Sequence, residues 1–253
     1  METGSDRPVI LLIHGLWFQP DVWTPWLGEL DQAGYDAVVL PWTGGDGAVP
    51  GFDELLTAAR GHIEALPSRP IVIGHGVGGA VAERLLSDGD AAAAISLAPV
   101  PGGYPAVPAA THLLRHRTRV ALLGLHGGPV TPTFPQFRQA IASVGSTAAA
   151  RKLYESYIAA GKPRAVLFHA VRHRTPARNR QPPRGPLLLA AGGKDELIRE
   201  TSIALLHRDY RRRQPDAVTD YQVFPGMDHT LGLGTQDVVV LFHCLDWLTA
   251  QNM

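Results

Sequence analysis

Ile71-Val72-Ile73-Gly74-His75-Gly76-Val77-Gly78-Gly79 decides the fold of this chain. A short β-branched apolar run stops at a glycine, and a helix-forming run, Ala80-Val81-Ala82-Glu83-Arg84-Leu85-Leu86, begins a few residues later. That order predicts a strand, a very tight turn and a helix. The glycine spacing is that of the G-x-S-x-G elbow, in which a serine sits on a strained turn with its hydroxyl exposed. Here the serine position is Gly76. The elbow is present and the nucleophile is absent, and a functional reading has to account for both.

Working outward, Val9 to Ile13 reads as a buried strand that feeds a loop at His14-Gly15. Asp21 is a plausible N-cap for a helix over Val22 to Ala33, closed by Gly34. Strands are expected at Ala37–Leu40, Ile71–Ile73, Ala93–Ala98, Leu187–Ala191 and Thr219–Phe224. Helices are expected at Phe52–Leu66, Val77–Ser87, Ile203–Arg212 and Val238–Leu248. Strands alternating with helices argue for a three-layer α/β architecture around a parallel sheet.

The alternation breaks between Pro99 and Pro186. Helical patterns near Phe137–Val144, Ala148–Ala160 and Ala165–His173 suggest an inserted helical cap over residues 99–183. Residues 1–98 and 184–253 would then form the core, with the cap over the strand ends, where α/β sheets bind ligands. Between Pro99 and Pro183 twelve Arg and Lys residues face one acid, Glu155. A solvated outer face accounts for such a surplus. The sharper expectation is a field favouring an anionic substrate or an acidic partner such as an acyl carrier protein.

At 253 residues, 45% apolar, the chain can bury a sizeable core. A formal net charge of zero argues against nucleic-acid and membrane partners. Cys244 is the single cysteine, so no internal disulfide can form. Without an evident leader or an apolar run of spanning length, the expectation is a cytoplasmic protein.

Four motifs fall in order at the ends of expected strands: His14-Gly15-Leu16-Trp17, Gly74 to Gly79, Ala191-Gly192-Gly193-Lys194-Asp195, and Phe224-Pro225-Gly226-Met227-Asp228-His229. Together they resemble the α/β-hydrolase superfamily, in its bacterial esterase-like and cofactor-free haloperoxidase-like branch. The resemblance runs from Val9 to about Leu248. It implies a nucleophile, acid and histidine at Gly76, Asp195 and His229, and oxyanion-hole N–H groups from Val77 and from Leu16, with Trp17 as the other candidate. The family's two initial strands have no counterpart before Val9, so six parallel strands are expected.

A His–Asp pair can move protons near neutral pH without a serine. Asp228 and Glu196 are competing acids for His229. His75, beside the elbow position, is a pocket or structural residue. Gly15 and Gly78 suit close backbone approach. Phe134, Phe137, Tyr154, Tyr157 and Phe168, with Trp17, would line an apolar substrate pocket, or else pack the cap. His112/His116 and His169/His173 have i,i+4 metal spacing but no carboxylate near them in sequence, and Thr43-Gly44-Gly45-Asp46-Gly47 lacks the lysine of a phosphate loop. No metal or cofactor is expected.

Three functions stay open. One is an enzyme using His229–Asp195 for general acid/base chemistry on a small carbonyl substrate: non-covalent hydrolysis, lyase, isomerase or cyclase chemistry, with secondary metabolism suggested by analogy alone. The second is a serine esterase disabled at the nucleophile, by drift or by replacement. The third is a non-catalytic ligand-binding protein.

Overall fold

The computed structural model describes residues 7–41, 51–102, 129–163 and 184–253. In chain order the elements are β1 (Val9–Ile13), a 3-10 turn (Pro20–Trp23), α1 (Thr24–Gln32), β2 (Asp36–Val39), α2 (Phe52–Ile63), β3 (Ile71–His75), α3 (Val77–Asp88) and β4 (Ala93–Leu97). Then come α4 (Phe134–Ala140), α5 (Thr147–Tyr157), β5 (Leu187–Gly192), α6 (Glu200–Arg213), β6 (Thr219–Phe224) and α7 (Val239–Ala250). The six strands form one parallel sheet in the order β2-β1-β3-β4-β5-β6.

Strand composition explains that order. β3, β4 and β5 are buried at every position, and β1 at all but its first. Continuous apolar runs of this kind suit strands covered on both faces. β2 and β6 are half-buried along most of their length and occupy the edges. The parallel register brings the C-terminal ends of β1 and β3 side by side, with Ile13 opposite Gly74, and those of β5 and β6, with Gly192 opposite Phe224. The four loops that carry the sequence motifs therefore leave the same end of the sheet.

Two elements depart from the periodicity. The expected helix over Val22–Ala33 begins as a 3-10 turn at Pro20 and becomes α-helical only at Thr24. Trp23 and Trp26 anchor it, fully buried with ring centroids 5.1 Å apart. The pattern near Phe137–Val144 is helical earlier, over α4, because Thr133 and Gln136 form a capping box and Pro135 sits in the first turn. The third cap pattern, Ala165–His173, lies outside the described residues, as do His112, His116, Phe168 and the Thr43–Gly47 loop.

A buried polar cluster fastens the elbow helix to β4 and α6. Glu83 of α3 accepts hydrogen bonds from Ser96 Oγ of β4 (2.8 Å) and the Tyr210 hydroxyl of α6 (2.8 Å). The Arg184 guanidinium lies 5.2 Å from the Tyr210 ring centroid and donates to Gln214 and Thr219. Burial pushes the Glu83 carboxyl from 4.5 up to about 7, opposed by those two hydrogen bonds and the Arg184 charge. Folded chains then hold a proton that unfolded chains release, so this group's contribution to stability falls as pH rises from about 4.5 to about 7. Urea unfolding of the native chain relative to Glu83→Gln is expected to show a drop on the order of 3 kcal/mol across that window. A difference that stays level with pH would show that Glu83 titrates as an ordinary carboxyl.

Candidate active site

The elbow places Gly76 between β3 and α3 with φ 56° and ψ −114°, a backbone region strained for any residue with a Cβ. Its amide donates to Leu97 O (2.9 Å), and its carbonyl accepts from Val100 (3.1 Å) and from Ala80 (3.3 Å). The turn is held from the β4 side and from its own helix. α3 opens at Val77, whose N–H lies at the helix N-terminus, where intrahelical acceptors run out. Close approach explains the flanking glycines. A Cβ on Gly78 would lie 2.4 Å from Ile13 O, and one on Gly15 would lie 2.5 Å from His75 Nδ1.

His229 follows β6 and Asp195 follows β5. The imidazole Nδ1–H donates to Asp195 Oδ2 at 2.7 Å, with the Asp195 side chain fully buried and that of His229 nearly so. The other oxygen, Asp195 Oδ1, accepts the backbone N–H groups of Leu197 (2.8 Å) and Ile198 (2.7 Å), which fix the carboxylate plane. Nε2 is left facing the elbow, 3.8 Å from where a Cβ on Gly76 would stand. Asp228 does not hold the ring. Its oxygens accept from Val144 and Thr230 instead.

Two other histidines surround this pair. His75 donates Nε2–H to the His229 carbonyl at 2.7 Å, and its ring meets the His229 ring edge-on with centroids 4.8 Å apart. Burial, reinforced by the nearby His229, pushes His75 down to about 3, so it stays a neutral donor. Burial pushes His14 down to about 4, and its Nδ1–H donates to Gly15 O (3.1 Å). His75 therefore braces the backbone of His229. Sequence reasoning placed it at the pocket or in a general structural role, and missed this brace and the two amides on Asp195. The Asp195-Glu196-Leu197-Ile198 run carried a signal for the latter, since aspartate commonly accepts from amides two and three residues on.

The aromatic residues of α4 and α5 pack on each other. Phe134 and Phe137 lie 5.6 and 5.5 Å from Tyr154, Arg151 stacks on Phe134 at 3.9 Å, and Phe137 is fully buried. Tyr157 lies against Gly234 in the loop beyond His229. Trp17 is buried and donates its indole N–H to Val130 O (3.0 Å). A cavity of about 220 Å³ opens beside the histidine loop, bordered by Val144, Leu153, Met227, Asp228 and Thr230, without a contribution from these aromatic rings. Of the twelve cations between Pro99 and Pro183, four fall among the described residues. Arg138 holds the carbonyls of Ala142 and Gly145, Arg151 pairs with Glu155, Lys162 pairs with Glu54, and Lys152 is exposed.

Among the described residues no cluster of His, Cys, Asp and Glu is arranged to hold a metal ion. Cys244 is buried in α7 and its thiol is pushed up to about 12, the behaviour of a packed thiol. No helix among the described residues is long and apolar enough to cross a membrane.

With six parallel strands and the elbow, acid and histidine loops at one end of the sheet, comparison with known proteins becomes informative. The profile described as the alpha/beta hydrolase family matches residues 10–240. The chain belongs to the alpha/beta hydrolase family. No curated protein sequence matches it. Solved hydrolase-fold structures that resemble it include polyneuridine aldehyde esterase, at 12% identity and TM-score 0.69 over 96% of this chain and 100% of that one. A methylesterase from Arabidopsis superposes with TM-score 0.69 at 17% identity, over 96% and 99% of the two chains. Tomato methylketone synthase I, solved with 2-tridecanone, gives TM-score 0.67 at 13% identity over 98% and 99%. At such identities the likeness to these hydrolase-fold proteins concerns the fold.

Proposed function

We propose that this alpha/beta hydrolase-family chain catalyses general acid/base chemistry on a small carbonyl compound, without a covalent acyl intermediate. The observation that carries the reading is the His229–Asp195 pair, assembled and buried, with Nε2 turned to a glycine. In this reading Gly76 stands where serine hydrolases hold their nucleophile. His229 moves the proton, Asp195 orients the ring, and the Val77 and Leu16 amides steady a developing oxyanion, with Trp17 as the alternative donor. Residues 99–183 act as a cap over these groups, and the cap cations favour an anionic substrate or one carried on an acidic protein.

C–C lyase chemistry suits such a site better than ester hydrolysis. A variant of the neighbouring tomato methylketone synthase I was solved with β-ketoheptanoate. Loss of carbon dioxide from a β-keto acid sends the bond's electrons into an enolate, which needs an oxyanion donor and then a proton on carbon. It needs no nucleophile. The test is turnover of a short β-keto acid, followed by carbon dioxide release, beside nitrophenyl acetate hydrolysis. The expected result is β-keto acid turnover that falls by about 10²–10⁴-fold in His229→Ala, with no acyl-enzyme burst on the ester. An ester burst from the native chain, or β-keto acid turnover indifferent to His229→Ala, overturns the reading. Tight binding of a β-keto acid, with neither turnover nor dependence on His229, replaces the enzyme with a ligand-binding protein.

A further inference from the structure

Three loops of the site, those after β1, β5 and β6, are fastened to the segment between β4 and β5. Ala159 N–H donates to Trp17 O (2.9 Å) and Gln19 N–H donates to Tyr157 O (2.9 Å), an antiparallel stitch on the loop after β1. The short connection between α4 and α5 reaches the other two. Ser143 Oγ donates to Lys194 O (3.1 Å), one residue before Asp195. Val144 N–H donates to Asp228 Oδ2 (2.8 Å), one residue before His229. Arg138, on the carbonyls of Ala142 and Gly145, stiffens the connection from within.

Asp228 is the hub of this arrangement. It is buried. While Oδ2 takes the Val144 amide, Oδ1 takes both the amide (3.1 Å) and the hydroxyl (2.7 Å) of Thr230. Its carboxylate thus ties the main chain before His229 to the main chain after it. An ordinary turn would need only the Thr230 contacts. The Val144 contact comes from 84 residues away, and the Ser143 contact on the acid loop spans 51. Both arise from adjacent residues of one connection and land beside the two members of the pair.

We propose that Asp228 is a positioning residue, which with the Ser143–Val144 strap holds the His229 ring against Asp195, so that this part of the cap clamps the site. The proposal rests on the reading of His229 and Asp195 as a working pair, and its test needs no substrate. In the full chain labelled with ¹⁵N-histidine, the His229 Nδ1–H proton should give a slowly exchanging downfield resonance, identified by its loss in His229→Gln. Asp228→Ala should move it upfield and hasten its exchange, while circular dichroism shows the fold retained. Asp228→Asn keeps one acceptor oxygen and should give a smaller shift, and Ser143→Ala a smaller one still. Thr230→Ser keeps the hydroxyl and should leave the resonance in place. An unchanged resonance in folded Asp228→Ala overturns the clamp and leaves the pair standing. Should Asp228→Ala fail to fold, an unchanged resonance in both Asp228→Asn and Ser143→Ala has the same force. Absence of the resonance from the native chain overturns the pair, and the clamp with it.

Discussion

Gly76→Ser is expected to give the chain esterase activity on small activated esters such as nitrophenyl acetate, about 10²–10⁴-fold above the glycine form. The proposal behind it is that only the hydroxyl is missing. A Cβ at this position would meet Gly15 Cα at 3.7 Å and His229 Nε2 at 3.8 Å, which is ordinary contact, so the added carbon displaces no neighbour. His229 Nε2 faces that position and Asp195 already holds Nδ1. The backbone, at φ 56°, is the unfavourable part. Unfolding should therefore show a loss on the order of 1–3 kcal/mol. Members of a triad act as a unit, so Gly76→Ser combined with His229→Ala should fall back to the level of the glycine form. The native reaction should respond the other way. A route that uses the space beside Nε2 should slow when serine fills it, yet still need His229. A soluble Gly76→Ser chain inert toward every small ester would remove the support for a serine lineage at this site.

Gly78→Ala should be strongly damaging to the elbow, and Gly61→Ala should do the opposite. The added carbon at Gly78 would stand 2.4 Å from Ile13 O and 2.7 Å from His14 O. Both are backbone atoms and cannot swing aside, so α3 has to lift from the end of β1. Overpacking of this kind is expected to lower stability by about 2–3 kcal/mol. It should also erase the activity installed by Gly76→Ser, because the displaced carbonyls carry the loop that supplies Leu16. Gly61 lies in α2 with nothing near its missing Cβ. Alanine there should raise stability by about 0.5–1 kcal/mol through the unfolded chain and helix propensity. Urea midpoints of the two variants check both signs. Shifts in the same direction would show that the close approach at Gly78 does not limit the fold.

The features legible in the chain before folding are local and steric. Glycine relieves the positive φ at position 76 and is required by the backbone contact at position 78, and the glycine spacing after a β-branched run was readable without coordinates. Apolar runs marked the strands, Val9–Ile13 as a buried one, and the structure shows β3, β4 and β5 buried throughout as well, with the more polar β6 at an edge. The parallel sheet of the hydrolase fold followed from alternation with helices, while the order of its strands came from the tertiary structure. The family resemblance pointed to Asp195, but local patterning could not choose between it and Asp228 as the partner of His229. Asp228 is its neighbour in the chain and Asp195 lies 34 residues away, yet the ends of β5 and β6 bring Asp195 to Nδ1 and turn Asp228 toward Val144. Periodicity reports which face of an element is buried. It carries no information on where a loop side chain points once the chain has left the sheet. The same holds for α4 and α5, whose aromatic residues the sequence left open between a substrate pocket and packing. Whether Phe134, Phe137 and Tyr154 face a substrate or one another depends on how α4 and α5 pack, and they pack on one another. The strap at Ser143–Val144 had no sequence signature, because its bonds are made by a backbone amide and a hydroxyl to partners in loops distant along the chain.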